Sequence, residues 1–374
     1  MEIIKHFSDS EDAQSFVINI GPQHPSTHGV LHLKMRLNGE TVVDVEPNLG
    51  YIHRGIEKMN EALTYKQCIH LTSRMDYLSA HMNNQAVSLA VEKGMQIDVP
   101  ARAQAIRIIM AELQRLASHQ LWWGCLGLDM GAVTPFFLGF RERETILEIF
   151  EESTGNRLTM SYITPGGVLQ DIHPNFVKDV KLWIAQFKKN LPEFDQLYTN
   201  NIIVQSRLKG IGRLSMEDAI SFGACGPVAR ASGIACDVRK RFPYDGYDKL
   251  QFEEIIYKGG DCWDRYMVRM DEMKQSISII EQLIDNIPSG PFREKLKGVP
   301  KVPEGEYYQR VETARGELGV YLVSDGGAKP YRLKYRTPNF ANLSALRSMF
   351  IGQKIGDMVA IMSTLDLIIP DIDR

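Results

Sequence analysis

Long apolar runs are absent from this 374-residue chain. The longest candidate, MVAIMSTLDLIIP at 358–370, is interrupted by Asp366 and falls short of the roughly 20 residues that a helix needs to cross a bilayer. No membrane-spanning helix is therefore expected. The opening residues, MEIIKHFSDSEDAQ, lack the basic and apolar regions of a secretory signal, which places the chain in the cytoplasm. Cysteine is scarce, and Cys68, Cys125, Cys225, Cys236 and Cys262 make an odd number without a CxxC pair. They read as reduced, buried thiols rather than a disulfide framework. An excess of positive charge is missing too: the formal net charge is -3 and the isoelectric point about 6.3, so no general basic field exists for nucleic acid or an anionic membrane. Repeats and low-complexity tracts are lacking. What remains, with 44% hydrophobic and 24% charged residues, is a globular chain long enough for two or three domains or one large core.

Three strand-like runs come first: SFVINI (15–20), VLHLKMRL (30–37) and TVVDVEP (41–47). Asn38-Gly39 between the last two signals a two-residue hairpin. From about 54 to 286 the apolar spacing becomes helical. One stretch runs from Ile56 through SRMDYLSAH to Gly94, a second opens at Pro100, a third ends at Gly155, and a fourth lies within DCWDRYMVRMDEMKQSISIIEQLIDNI. Several are too apolar for surface helices and predict a bundle core. Strand patterns return at 308–338, before a last helix near 340–367, and GPFREKLKGVPKVPEGE (290–306) reads as a Pro/Gly-rich surface connection.

Five motifs carry possible chemistry. GPQHPSTHGV (21–30) sets His24 and His28 four residues apart, but Pro22 and Pro25 make the stretch a poor helix, so the pair sits at a hairpin tip instead of on a metal-binding helical face. Imidazoles there handle protons if the tip faces a cavity, and are solvated loop histidines otherwise. SRMDYLSAH places Arg74, Asp76 and Tyr77 at a helix start, with Tyr77 either a proton donor or a core aromatic. In GLDMGA, Asp129 caps the following helix or is aimed at a neighbour such as a histidine. FRERE (140–144) reads first as internal and surface ion pairs, and YIHRGIEK (51–58) offers His53, Arg54 and Glu57 for capping a helix or binding an anion.

GPQHPSTHG, LGYIHRGIEK, SRMDYLS, FRERE, PGGV (165–168), GPVARASGIACDVRK (226–240), RVETARGELGVYLVSDG and the terminal STLDLIIPDIDR occur in order along essentially the whole chain. Together they resemble the 49-kDa-type (D-type) subunit of respiratory complex I, the NADH-quinone oxidoreductase. The resemblance implies an α+β, mainly α fold like the nickel-iron hydrogenase large subunit. Residues 1–50 would form an N-terminal antiparallel sheet with the quinone-site loop, 51–290 a helical bundle core, and 291–374 strands and a C-terminal helix completing the same domain. Hydrogenases hold their metal with two CxxC motifs; RMDYLS and LDLIIPDIDR stand in those regions without cysteine, so no nickel-iron site is expected and the emptied cavity becomes the quinone site.

By the same resemblance, His28 and Tyr77 match the residues that hydrogen-bond the quinone headgroup, Asp129 the carboxylate that partners the histidine, and Arg54 an arginine beside the terminal iron-sulfur cluster. His24 takes a supporting place. That [4Fe-4S] cluster belongs to the adjacent 20-kDa-type (B-type) iron-sulfur small subunit. The 30-kDa-type (C-type) subunit, the I-type subunit and the H-type membrane subunit are the other implied partners, and quinone is the substrate. The implied location is peripheral, on the cytoplasmic side of the bacterial inner membrane. One departure stands out. GNRLTMSYITPGG puts Thr159 and Thr164 where many members carry histidine and arginine, which predicts a cluster of lower, less pH-dependent potential suited to menaquinone. An equivalent subunit of a complex fed by ferredoxin or another non-NADH donor is the alternative enzyme, and a structural scaffold the non-enzymatic one.

Overall fold

Alternation of apolar and polar side chains builds the first sheet. β3 (His32–Asn38) buries Leu33, Met35 and Leu37 and turns Lys34 and Arg36 to solvent. With β1 (Glu2–Ile4), β2 (Ser15–Ile20) and β4 (Thr41–Asn48) it forms an antiparallel sheet in sequence order. A register shift at Arg36/Leu37 pairs Asn38 with Thr41, so the two turn residues are Gly39 and Glu40, one place later than the Asn38-Gly39 signal suggested. The computed structural model describes residues 2–4, 15–24 and 29–374, and His28 lies outside the described residues.

Helices follow, but the continuous pattern expected over 56–94 is broken into α1 (Ile56–Asn60), α2 (Tyr65–Thr72) and α3 (Ala80–Met95). Residues 73–79 are the turn between α2 and α3, not a helix start. The Asp76 carboxylate accepts the Leu78 N–H at 3.0 Å, a local bond that competes with helix formation. α4 (Ala101–Asp129) begins after Pro100, and α5 (Val133–Thr154) ends at Gly155 with φ 77°, both as the punctuation predicted. The two pack closely because glycines line their contact: a Cβ on Gly139 would lie 2.6 Å from the Gln120 carbonyl. α6 (Phe176–Phe194) and α11 (Cys262–Ile284) complete the bundle, and a hairpin of β5 (Ile163–Thr164) and β6 (Gly167–Val168) interrupts the helical region without a sequence forewarning. Short helices α7 (Ile202–Leu208), α8 (Met216–Ser221), α9 (Gly226–Ala231) and α10 (Val238–Arg241) connect α6 to α11.

A second antiparallel sheet, β7 (Gly305–Thr313), β8 (Gly316–Ser324) and β9 (Arg332–Arg336), packs Val311, Leu318, Val320 and Leu333 on Met82, Val87 and Val91 of α3. The single helix expected near 340–367 is instead α12 (Pro338–Ser344), α13 (Leu346–Phe350), α14 (Met358–Leu365) and α15 (Ile369–Asp373), with Asp366 at φ 57° turning the chain out of α14. Residues 352–355 return to the first sheet through Val42 N–H to Gln353 O (2.8 Å) and Gly352 N–H to Val42 O (2.9 Å). Among the described residues no helix is long and apolar enough to cross a membrane.

The bundle core differs from the apolar one the sequence suggested, because α4 buries charges along with Ile106, Leu113 and Trp123. Glu112 accepts from Arg115 (3.1 Å), Arg239 (3.0 Å), Tyr247 (2.7 Å) and Ser276 (2.6 Å). Burial opposes its ionisation, yet Arg115 and Arg239 outweigh that and hold the carboxyl down at about 2. Glu272 bridges His119 and Arg230, and Arg230 reaches on to Glu312 at 2.7 Å. The β7–β8 turn feeds this lattice: its residues Ala314 and Arg315 are buried, and α9 admits the turn only because Gly226, at φ 61°, has no side chain. A Cβ there would stand 2.4 Å from the Arg315 carbonyl.

Gly226→Ala is therefore expected to destabilise this chain by about 2 kcal/mol or more through clash and left-handed strain, read as a lower thermal midpoint of the assembled protein. A pH effect comes from Asp371, whose carboxyl burial and then the charge of Asp76 push up to about 7. Its folded pKa lies above its unfolded one, so the stability it contributes is full below about pH 4 and is lost as the pH rises to about 7. Asp371→Asn should flatten the fall in thermal midpoint between these values; an unchanged slope would refute the assignment.

Candidate functional site

The site grows from one buried cation. Arg315, delivered by the β7–β8 turn, donates to Asp76 Oδ2 (3.1 Å), Ser118 Oγ (3.1 Å), Asp366 Oδ1 (2.9 Å) and the Asp366 backbone oxygen (2.9 Å). These bonds, to two carboxylates, a hydroxyl and a carbonyl, use four of its five N–H donors. The clamp fixes residues 73–79 against the segment that leaves α14, and Asn83 adds a bond to the Asp76 carbonyl at 3.0 Å. Behind it Asp371 accepts from Asn339 at 2.7 Å.

Tyr77 follows Asp76 on this turn and is half-buried. Its hydroxyl makes no hydrogen bond among the described residues. Burial raises the phenol above its ordinary value, with Arg315 opposing, so it stays protonated at neutral pH. Arg315, Asp76, Asp366 and Cys125 are within electrostatic reach of it, and Arg143 of α5 in turn senses Cys125 and Tyr77. Cys125 stands one turn before Asp129 on α4, its thiol raised to about 11 by burial and then by Asp129. Asp129 is the last residue of α4, so it does not cap the following helix; it accepts the Ser363 hydroxyl of α14, the residue whose carbonyl takes Trp122 Nε1 at 2.7 Å. Tyr77 and Asp129 thus flank one thiol.

The described ends of the histidine loop, His24 and Gly29, reach the C-terminal helix α15. His24 and Gly29 form a backbone bridge at its base, and a Cβ on Gly29 would lie 2.8 Å from Ile369, beside Asp371. His24 is partly exposed, and the placement of His28 is not described. Arg54 is exposed and donates to the Arg74 carbonyl at 2.6 Å; Arg74, partly exposed, donates to the His70 carbonyl. Neither arginine forms an ion pair among the described residues. His70 Nδ1 lies 3.0 Å from Ser161 Oγ, and Thr159 nearby in sequence holds φ 54°, an unfavourable value for a β-branched residue. Thr164 sits in β5, its carbonyl accepting Arg107 at 2.8 Å. His53 binds the Asp373 carbonyl through Nδ1 at 2.6 Å, while Asp373 Oδ atoms take the Gly50 and Ile52 N–H groups, so YIHRGIEK is stitched to the C-terminus.

Sequence reasoning missed Arg315, Asp366 and Arg143. Arg315 reads as an exposed turn residue, and nothing local says that its hairpin tip is buried. Arg143 did leave a signal: Phe136, Phe140, Arg143, Leu147 and Phe150 share one helical face, so the middle alternation of FRERE points inward. Cofactor ligands are few. All five thiols are free, and burial lifts Cys68 and Cys236 to about 12 and Cys225 to about 11, which disfavours thiolates. Among the described residues one group of possible ligands, Glu152, His173 and Asp179, gathers within 4.8 Å, and it contains none of the residues around Tyr77.

Comparison with known proteins bears on what this arrangement serves. Residues 129–374 match the family described as the respiratory-chain NADH dehydrogenase 49 Kd subunit. The C/D-type subunit of the NADH-quinone oxidoreductase of Bacteroides thetaiotaomicron is 55% identical over 96% of this chain and 68% of its own length. The D-type subunit of that enzyme is 48% identical in Desulfotalea psychrophila, over 96% of this chain and 97% of that one, and 44% identical in Geobacter metallireducens, over 96% and 98%. By the family match over residues 129–374 and these identities, the chain belongs to the 49-kDa subunit family of the NADH-quinone oxidoreductases.

Proposed function

We propose that this subunit forms the quinone headgroup site of its complex, next to the terminal [4Fe-4S] cluster held by the iron-sulfur small subunit. The observation that carries the reading is Tyr77: a protonated, half-buried phenol whose hydroxyl has no acceptor among the described residues, held by the Asp76–Arg315–Asp366 clamp. Quinone reduction consumes two electrons and two protons, and charge develops on the two carbonyl oxygens unless donors meet it. Tyr77 donates to one oxygen. His28 donates to the other as imidazolium, which Asp129 stabilises. The base of the histidine loop against Ile369 supports this placement of the loop at the site.

Arg54, exposed, and Arg74, partly exposed, are without acid partners among the described residues and suit the negative charge of a partner's cluster. Leu128, Val133 and Phe137, exposed by 46%, 50% and 65% around the Asp129 corner, form an apolar surface that partner subunits would cover. We assign as partners the 20-kDa-type iron-sulfur, 30-kDa-type, I-type and H-type membrane subunits. We further assign a hydrogenase-like fold spanning 1–50, 51–290 and 291–374, a peripheral position on the cytoplasmic face, and NADH as donor in place of ferredoxin.

Tyr77→Phe in the purified intact complex is expected to lower quinone reduction about 10- to 100-fold, and His28→Ala with it further, while NADH still reduces the cluster to its normal EPR amplitude. Unchanged turnover in the double variant would sink the headgroup assignment. The missing histidine at Thr159 and arginine at Thr164 leave less positive charge near the cluster, so we expect a low potential with a shallow pH slope, suited to menaquinone. A redox titration with a steep slope would overturn this and direct attention to His70.

A further inference from the structure

Arg143 is the one charge near Tyr77 to which the described residues supply no partner. It is 9% exposed, on the inward face of α5, and its Nε has no hydrogen-bond partner. No acid forms an ion pair with it among the described residues. Its sequence neighbours form their ion pairs elsewhere, Glu142 with Arg141 (2.7 Å) and a bond to Asn190 (2.8 Å), and Glu144, the acid whose charge acts most on Arg143, with Arg157. The Phe140 ring lies near the guanidinium, 5.9 Å from centroid to carbon. Burial of a cation without a counter-charge costs several kcal/mol in general, and chains rarely retain it without a ligand.

The neighbours say which ligand. Tyr77 and Cys125 are within electrostatic reach of Arg143, and Phe136 and Phe140, with ring centroids 4.3 Å apart, present an aromatic wall on the same face. A flat apolar ring with oxygen at its edge fits such a surface better than an inorganic anion would. We propose that Arg143 is a substrate-binding residue, its guanidinium donating to a headgroup oxygen of the quinone as that oxygen gains negative charge. The inference rests on the reading that places the headgroup at Tyr77. Electrons come from the partner subunit's cluster and both protons from other groups, Tyr77 among them; quinone plus two electrons and two protons gives quinol. Arg143 keeps its own protons throughout. Burial lowers its pKa, but an arginine remains charged at neutral pH.

The contrast with Arg315 supports a binding role over a structural one. Both guanidiniums are buried and within electrostatic reach of Tyr77, yet Arg315 is neutralised by Asp76 and Asp366 and has four of its five N–H groups bonded, whereas Arg143 has neither an acid partner nor a hydrogen bond among the described residues. Because the quinone arrives neutral, a cation matters most after electrons arrive, so its removal should act on kcat more than on KM.

Arg143→Gln, Arg143→Lys and Tyr77→Phe would be made in the intact membrane complex and assayed with decylubiquinone. For Arg143→Gln we expect kcat to fall about 10- to 100-fold with KM changed far less, a normal cluster EPR signal, and a thermal midpoint equal to or above that of the parent, since a desolvated charge is gone. Arg143→Lys should recover part of kcat. Parental kcat in Arg143→Gln with Tyr77→Phe impaired would overturn the Arg143 proposal and leave the headgroup reading standing. Parental kcat in both variants would remove the headgroup reading itself. A lower midpoint or failed assembly in Arg143→Gln, with Arg143→Lys assembling at parental kcat, would mean that a partner's acid clamps Arg143, and would also overturn the proposal.

Discussion

One guanidinium, Arg315, joins three stretches of chain that are distant in sequence: the turn at Asp76, the β7–β8 hairpin that carries it, and Asp366 at the end of α14. Taking such an ion out of water costs several kcal/mol, and the loss of one partner from a buried group of this kind typically costs about 3–5 kcal/mol. Its worth therefore lies in geometry. Asp76 spends one oxygen on the Leu78 N–H and meets Arg315 with both, which leaves residues 73–79 little freedom, and Tyr77 is exposed to the site on that fixed turn. Asp366 adopts φ 57° to reach the same cation, so the clamp also decides where α15 and the Asp371 carboxyl lie.

Glu312 near the end of β7 and Arg315 in the turn that follows link two halves of the buried charge. Arg315 faces Tyr77, whereas Glu312 faces Arg230 and the lattice of Glu112, Arg115, Arg239 and Glu272. Arg115 locks the turn backbone by donating to the carbonyls of Glu312 and Thr313, each at 2.7 Å. The turn is consequently held from its backbone, from its acid and from its base at once. Gly226 explains why this is sterically possible, since the hairpin lies where a side chain on α9 would otherwise stand. A site built on an element held in this way has the rigidity that small errors in donor position would otherwise spoil.

Much of this frame was legible and the decisive contacts were not. The alternation of β3, the Pro100 start and the Gly155 stop are local signals, and the chain obeys them. The splitting of 56–94 and of 340–367 came from tertiary demands: Asp76 and Asp366 leave the helical path to meet Arg315, a residue 239 and 51 positions away. No window of sequence contains that pairing. Charge on α4 likewise reads as a solvent face, although Glu112, Arg115 and His119 are buried because α10, α11 and the β7–β8 turn bring their partners. For the candidate site, motif resemblance pointed to Tyr77 and Asp129, while the partners of Arg315 and the lack of one for Arg143 among the described residues emerged only in three dimensions.

The same physics separates the arginines by purpose. A cation satisfied by the fold has fixed neighbours before any substrate arrives, so it orients and does not discriminate between oxidised and reduced ligand. A cation left unsatisfied lowers the stability of the empty site and gains a partner only when negative charge appears beside it, which is the condition for a group to favour the reduced state over the ground state. Tyr77 is within electrostatic reach of both kinds, Arg315 and Arg143, and of Cys125, which in turn senses Asp129. Such a phenol is kept neutral by burial, and the cation that clamps its neighbour Asp76 steadies the turn it stands on. Under the proposed headgroup reading, proton donor and stabilising cation would act on one ligand without either having to titrate in the resting site.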